Sequence, residues 1–376
     1  VLSRFASEAG VVLSFGAELT QGKHSPGLQG RYSVEQGFAE LTRASATQVI
    51  LSSNGDYVLV PRATDGTLEL GATTVGAQGL GATTEGTGSY TTGATSTATK
   101  LNLSIRETPQ TISVVTRQRM DDQQLKTMSE VLTQTPGVTL SQDGGERFNV
   151  YSRGSAINTY QFDGVTTYQE NQTRNMPSTF MDMAIYDRVE VVRGATGLMT
   201  GAGDPSAAIN LVHKRAASKT LTGSVEVNRG SWHKYGAQAD VATGLNQAGT
   251  VRARVVGEYA DGDSWVKLLS NKRESLYATM DIDLTPNTVL WFGVSSQSDK
   301  TDSPMWGGLP VWYGDGSRTK WARSKTASAD WARWDSTYDN YFANLEHRFE
   351  NGWQAKVNYS RGERNADSYL LYAYGF

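Results

Sequence analysis

The sequence predicts a transmembrane β-barrel preceded by two small α+β units, on three observations. From residue 221 onward apolar and polar residues alternate with a period of two, as in strands that bury one face. These runs extend over about 8 to 11 residues, enough for a tilted strand to cross a bilayer core. Short connections, such as 285–287 and 350–352, alternate with longer ones, the longest spanning 299–337.

Composition leaves this class open while closing others. The 376 residues carry a net charge of −3, which gives no footprint for nucleic acid. The absence of cysteine excludes disulfides and thiolate metal sites. No run approaches the ~18 consecutive apolar residues of a membrane helix. A barrel is the membrane architecture compatible with that profile, because its strands are apolar only at alternate positions. The chain opens at Val1-Leu2-Ser3 without initiator Met or signal core, which reads as a mature or trimmed start.

Residues 1–62 read as a compact α+β unit: a helix over 1–9, a strand over 11–15, and a helix with Val34, Phe38 and Leu41 on one face. Strands over 48–51 and 57–60 follow, joined by the hairpin signal Asn54-Gly55, and Pro61 closes the unit. Residues 63–98 are rich in Gly, Thr, Ala and Ser without an apolar face, so they are expected to form a flexible linker. Residues 99–217 form a second unit, with strands at 111–116, 148–151, 160–162, 189–192 and 209–212. A helix is expected over 122–133, stopped by Pro136-Gly137.

Residues 218–376 carry the alternation. Leu276, Ala278, Met280, Ile282 and Leu284 oppose Tyr277, Thr279, Asp281 and Asp283; Val251, Ala253, Val255 and Tyr259 oppose Arg252, Arg254 and Glu258. Ala237, Ala239 and Val241 oppose Gln238 and Asp240, while Trp353, Ala355, Val357 and Tyr359 oppose Gln354, Lys356, Asn358 and Ser360. A soluble sandwich with one wet face would show similar alternation. Strand length, aromatics near strand ends and the alternating loop lengths favour the barrel. Seven strands and the start of an eighth, at 368–374, are expected, with the barrel continuing beyond residue 376 because lipid does not tolerate an open edge.

These three regions, in this order, resemble the TonB-dependent outer-membrane receptors, in particular the siderophore transducers typified by ferripyoverdine and ferric-pseudobactin receptors. Residues 1–62, with Ser25-Pro26-Gly27-Leu28-Gln29-Gly30-Arg31-Tyr32-Ser33-Val34, resemble the secretin/TonB N-terminal signalling domain, of βαβ type and here lacking its first strand. Residues 99–217 resemble the plug. They carry Glu107-Thr108-Pro109-Gln110, Thr135-Pro136-Gly137-Val138, Tyr151-Ser152-Arg153-Gly154, Asp163-Gly164 and Tyr186-Asp187-Arg188-Val189-Glu190-Val191-Val192-Arg193-Gly194. Asp204-Pro205-Ser206-Ala207-Ala208 departs from the Gly-Gly that many members keep before Ile-Asn-Leu. The resemblance implies a barrel of about 22 strands with the plug inside it, of which this chain holds the first seven or eight.

The resemblance also implies site residues. Glu69, Leu70, Gly71, Ala72, Thr73, Thr74 and Val75 sit where the family keeps its TonB box, a strand that pairs with TonB by β-augmentation. Arg153 and Arg193 match arginines that lock plug to wall through barrel glutamates, a reading set against direct contact with an anionic ligand. The long loop carries Trp306, Trp312, Trp321, Trp331 and Trp334, five of the nine tryptophans. So much aromatic surface suits a vestibule wall, or alternatively an interfacial belt and loop core. Trp306 and Trp334 are the candidate ligand contacts from the wall. Arg147 is the candidate from the plug, matching a ligand-contacting position of the ferripyoverdine type.

No protein-bound cofactor is expected. The four histidines are scattered without ligand spacing, the run 194–203 lacks a Walker ending, and no nucleophile elbow or carboxylate pair marks an enzyme. Iron(III) would arrive already held in its siderophore. The implied partners are the ferric siderophore, TonB with ExbB and ExbD, an inner-membrane anti-sigma regulator and outer-membrane lipid, with the N-terminal domain in the periplasm. A same-architecture importer of cobalamin or another iron chelate, or a secretin-type assembly component, are the alternatives.

Overall fold

A computed structural model describes residues 1–15, 20, 27–28, 30, 32–43, 47–51, 57–61, 83–142, 148–168, 182–194 and 205–372. The chain divides into two units, 1–75 and 76–376. The hairpin signal Asn54-Gly55, the box at 69–75, Arg147 and most of the glycine-rich run 194–203 lie outside the described residues.

In the smaller unit, helices α1 (Leu2–Glu8) and α2 (Val34–Thr42) accompany strands β1 (Leu13–Ser14), β2 (Thr47–Leu51) and β3 (Tyr57–Pro61). The sheet order is β1-β3-β2, with β1 parallel to β3 and β2 antiparallel to it. Ser33 and Gln36 close a capping box at the start of α2, satisfying backbone donors the first turn leaves open. Phe38 is the centre, packed edge-on to Phe5 at 5.1 Å and tilted against Tyr57 at 5.2 Å. Gly37 sets the approach of the two helices, because a Cβ there would fall inside the Phe5 ring.

The larger unit opens with a strap, residues 83–98, expected as linker. Thr84, Thr95, Thr97 and Ala98 are buried. The strap leads to β4 (Thr111–Thr116), α3 (Arg117–Asp122), α4 (Met128–Thr133), β5 (Thr139–Gln142), β6 (Phe148–Ser152) and β7 (Ser155–Ala156). Strands β8 (Thr159–Phe162), β9 (Val165–Tyr168), β10 (Tyr186–Arg193) and β11 (Ala207–His213) complete the plug. Its main sheet runs β4-β10-β11-β8-β9. The single helix expected over 122–133 is two helices. Gln124 turns left-handed at φ 52°, Leu125 drops into the core, and Thr127 restarts the chain with a capping box to Glu130.

Seven antiparallel strands form the wall: β12 (Thr222–Arg229), β13 (Tyr235–Gly244), β14 (Val251–Asp263), β15 (Ser270–Thr285), β16 (Thr288–Asp302), β17 (Arg333–Arg348) and β18 (Gln354–Tyr369). The sheet is open between β12 and β18. Each expected alternation holds. Tyr277, Thr279 and Asp281 are buried inward, while Leu276, Val255, Val294 and Val357 stand exposed on the outer face. An apolar face of that extent, flanked by Tyr235 and Tyr259 at one margin and by Trp353 and Phe349 at the other, is built to meet lipid.

The strands are longer than the alternation suggested, up to 16 residues, because polar cross-strand pairs carry them beyond the apolar band. Asn271, for example, bonds Asp299 and Thr301 across β15 and β16. The long loop is therefore shorter than expected, 303–332, and Trp334 belongs to β17. Ser368 lies at the end of β18, paired with Trp334, and does not open an eighth strand.

Plug and wall share one core. Inward-facing Val256, Tyr277, Val289, Trp291, Tyr338 and Phe342 of the wall cluster with plug residues such as Ile185, Tyr186, Val191 and Ile209. The plug thus packs on the inward face of the wall.

Substituting Gly37→Ala should destabilise the smaller unit by about 1–3 kcal/mol, the usual cost of overpacking. Urea unfolding measures this, and adding Phe5→Leu should recover part of the loss.

Candidate functional site

The short-turn end of the wall holds a dense polar junction. Plug strand β10 runs through buried surroundings, yet carries Asp187, Arg188 and Glu190. Strict alternation would put Asp187 and Arg188 on opposite faces. A register shift between Tyr186 and Arg188 turns them together, so that Arg188 reaches Asp187 at 2.8 Å and Glu190 at 2.6 Å. The same carboxylates hold the strap. Asp187 accepts from the amides of Thr84 at 3.0 Å and Glu85 at 2.8 Å, and Glu190 accepts from the hydroxyls of Thr95 and Thr97.

Glu85 then reaches the wall. Both its oxygens accept from the Arg254 guanidinium at 2.5 Å, and Arg254 also donates to Asp240, which Lys214 of the plug meets at 2.9 Å. Burial raises the Glu85 carboxyl, but the Arg254 contacts outweigh it and hold it below the ordinary carboxylate range. Burial holds Lys214 below the usual lysine range, with Asp240 opposing. Further joints are Lys126 to Glu226 at 2.7 Å, Arg215 to Asp281 at 2.7 Å with Arg215 stacked 3.8 Å above Trp291, and Gln297 to the Tyr186 hydroxyl at 3.3 Å.

Asp187, Arg188 and Glu190 belong to the plug motif read from the sequence, but none of these residues was expected to join plug to wall. The available signals were charges at inward positions of otherwise regular strands, Asp240, Arg254 and Asp281, and recurring threonines in a stretch that otherwise resembles linker.

At the other end, the loop 303–332 has structure of its own. Ser303 N donates to Ala332 O at 2.7 Å, the Ser328 hydroxyl donates to Pro304 O, and Trp321 Nε1 donates to Pro310 O at 2.8 Å. Of the sequence-predicted contacts, Trp306 and Trp334 come together, with ring centroids 5.6 Å apart. Trp334 is only 2% exposed and faces inward on β17, so it underlies Trp306 and offers little surface itself. Trp312, Trp321 and Trp331 are exposed.

The Arg153 side chain reaches the backbone next to Arg193: a Cβ on Gly194 would lie 3.1 Å from the Arg153 guanidinium. Arg193 donates to Pro136 O at 2.5 Å and to the Ser113 hydroxyl at 2.9 Å. Among the described residues neither arginine is in an ion pair with a carboxylate.

A family model for the TonB-dependent receptor plug domain matches residues 104–208. The chain is 48% identical over 372 residues to a ferric-pyoverdine 358 receptor of Pseudomonas putida, covering 99% of this chain and 45% of that protein. It is 39% identical over 357 residues to the ferripyoverdine receptor of Pseudomonas aeruginosa, covering 95% and 44%. This chain belongs to the TonB-dependent receptors.

The crystal structure of the P. aeruginosa outer-membrane ferripyoverdine receptor bound to ferripyoverdine matches the receptor chain with a TM-score of 0.71 at 37% identity, over 95% of this chain and 45% of that one. The chain spans about half the length of the curated relatives it matches.

In the receptor, Asp187→Ala should cost about 3–5 kcal/mol, because it strands the buried Arg188. Hydrogen exchange by mass spectrometry should show faster exchange of the Thr84 and Glu85 amides, with the smaller unit unaffected.

Proposed function

We propose that this receptor takes up a ferric siderophore of the pyoverdine type across the outer membrane, energised by TonB with ExbB and ExbD. The observation that carries the reading is the 48% identity, along 99% of the chain, to a ferric-pyoverdine receptor. The proposed architecture is a barrel of about 22 strands around the plug, with residues 1–62 as a periplasmic signalling domain. Glu69 to Val75 serves as the TonB box, and the signalling domain reports occupancy to an inner-membrane anti-sigma regulator.

On the outer side, Trp306, seated on Trp334, forms the wall of the binding vestibule, and Arg147 supplies the ligand contact of the plug. A large indole gives contact area to a flat chromophore with little rotamer entropy to lose, and a guanidinium complements chelate oxygens. Arg153 and Arg193 lock the plug to the barrel through glutamates on barrel strands other than the seven of this chain. The iron is cargo, held by its own chelator.

Trp306→Ala should weaken equilibrium binding of ferripyoverdine to the purified receptor by roughly thirtyfold, the effect of losing an aromatic anchor worth about 2 kcal/mol. Arg147→Ala should weaken it less, and Trp353→Ala, at the far margin of the wall, should leave it unchanged. Wild-type binding by the first two variants would place the cargo elsewhere.

Coupling is tested separately. Thr73→Pro removes a backbone donor and bends the strand TonB must pair with. Surface binding should persist while uptake of radioiron is lost. Deleting residues 1–62 should instead abolish siderophore-induced transcription and leave uptake near normal.

A further inference from the structure

We infer that the plug parts from the wall along β17 and β18, and that the polar seam there, ending in a cavity at the short-turn mouth, is the path of the cargo. The inference rests on the uptake reading above and adds where in the barrel the path runs.

Among the described residues, the ion pairs and hydrogen bonds that join the plug to these seven strands are unevenly placed. The ion pairs that tie Lys126, Lys214, Glu85 and Arg215 to the wall fall on β12, β13, β14 and β15 in turn, and the Gln297 bonds fall on β16. Each has a buried or half-buried member, so separating it exposes a charge or a polar group that had a fixed partner. On β17 the plug meets rings. Phe162 lies 5.8 Å from Tyr338, and His213 lies 5.1 Å from Phe342, nearly parallel to it. Ring contacts are non-directional and tolerate sliding, which ion pairs do not.

Interleaved with those rings, the inward face of β17 carries polar atoms that have no partner among the described residues. They are Ser336 Oγ, Asn340 Nδ2 and Asn344 Nδ2, all buried, and Ser295 Oγ lies beside Asn340 on β16. Buried polar groups are ordinarily satisfied, by protein or by water, and a file of orphans along one strand marks a surface made to be wetted. The file begins below Trp334, at the vestibule, and runs down the strand toward Glu346.

There it meets a cavity of about 370 Å³ between the plug and the last turn of β17 and β18. Lys100, Asp163, Glu346, His347, Arg348 and Lys356 line it. Its three fixed cations exceed its two carboxylates, an excess suited to a chelate bearing hydroxamate, catecholate or carboxylate oxygens. Short turns mark the periplasmic side of a barrel, so the cavity is at the exit.

These 376 residues hold no cysteine, so each introduced pair supplies the only thiols within them. One receptor variant carries Lys100→Cys on the plug with Lys356→Cys on β18, both lining the cavity. A second carries Lys126→Cys with Glu226→Cys, on the tied side. Each is bridged in cells with a short reducible bis-thiol reagent, and uptake of radioiron-labelled ferripyoverdine is followed. Bridging the first pair should slow uptake at least tenfold, with recovery on reduction, while bridging the second should change it less than twofold. Equal block by both bridges, block by the second alone, or no block by either would overturn the inference. Surface binding of ferripyoverdine by the unbridged variants is measured alongside, and its absence would count against the cargo assignment and not against the path.

Discussion

Buried carboxylates on β10 organise the larger unit. Asp187 and Glu190 lie where an unpaired charge would be prohibitive, and a local bulge lets Arg188 neutralise both from within the same strand. Carboxylates keep more lone pairs than one guanidinium fills, and the remainder go to the amides of Thr84 and Glu85 and the hydroxyls of Thr95 and Thr97. A stretch without an apolar face is thereby ordered chiefly by polar contacts, with Ala98 packed against Ile112 and Val192 at its end. Asn210 extends the same network, donating to Thr97 from the neighbouring strand β11 at 2.7 Å.

From that anchor the strap reaches the wall through Glu85 and Arg254, and the rest of the interface follows the same logic. Inward positions of the wall are polar in sequence but buried in fact, because the plug covers them. Lys214, Arg215 and Lys126 supply countercharges, and Tyr277 donates its hydroxyl to Lys214 O. Apolar inward residues such as Val256 and Trp291 then close against plug strands in a continuous core. The outer face takes the opposite composition because its solvent is lipid.

The two ends of this arrangement are built differently. The loop 303–332 holds itself together at the long-loop end, using backbone and hydroxyl contacts while leaving several indoles exposed. The opposite end is closed by short turns and crowded with ion pairs. Trp334 shows how support and exposure divide: its buried indole fixes Trp306, which stands half-exposed above it.

By itself, the sequence determined which residues face lipid and which face inward, since a period of two depends only on the pleat. It also determined the central plug strands and the capped helix Val34–Thr42, whose signals are local. Only the tertiary structure decided that residues 83–98 are packed, because Thr84 and Thr95 find their partners about a hundred positions away on β10. It alone decided that Gln124 breaks the expected helix, since the reward for the break is burial of Leu125 under other elements. Trp334 moved from loop to wall because polar cross-strand pairs, invisible to a hydrophobic pattern, lengthen β16 and β17. The ion pairs joining plug to wall were hidden for the same reason: a charged residue's partner is fixed by where two distant segments meet, and no local spacing encodes that.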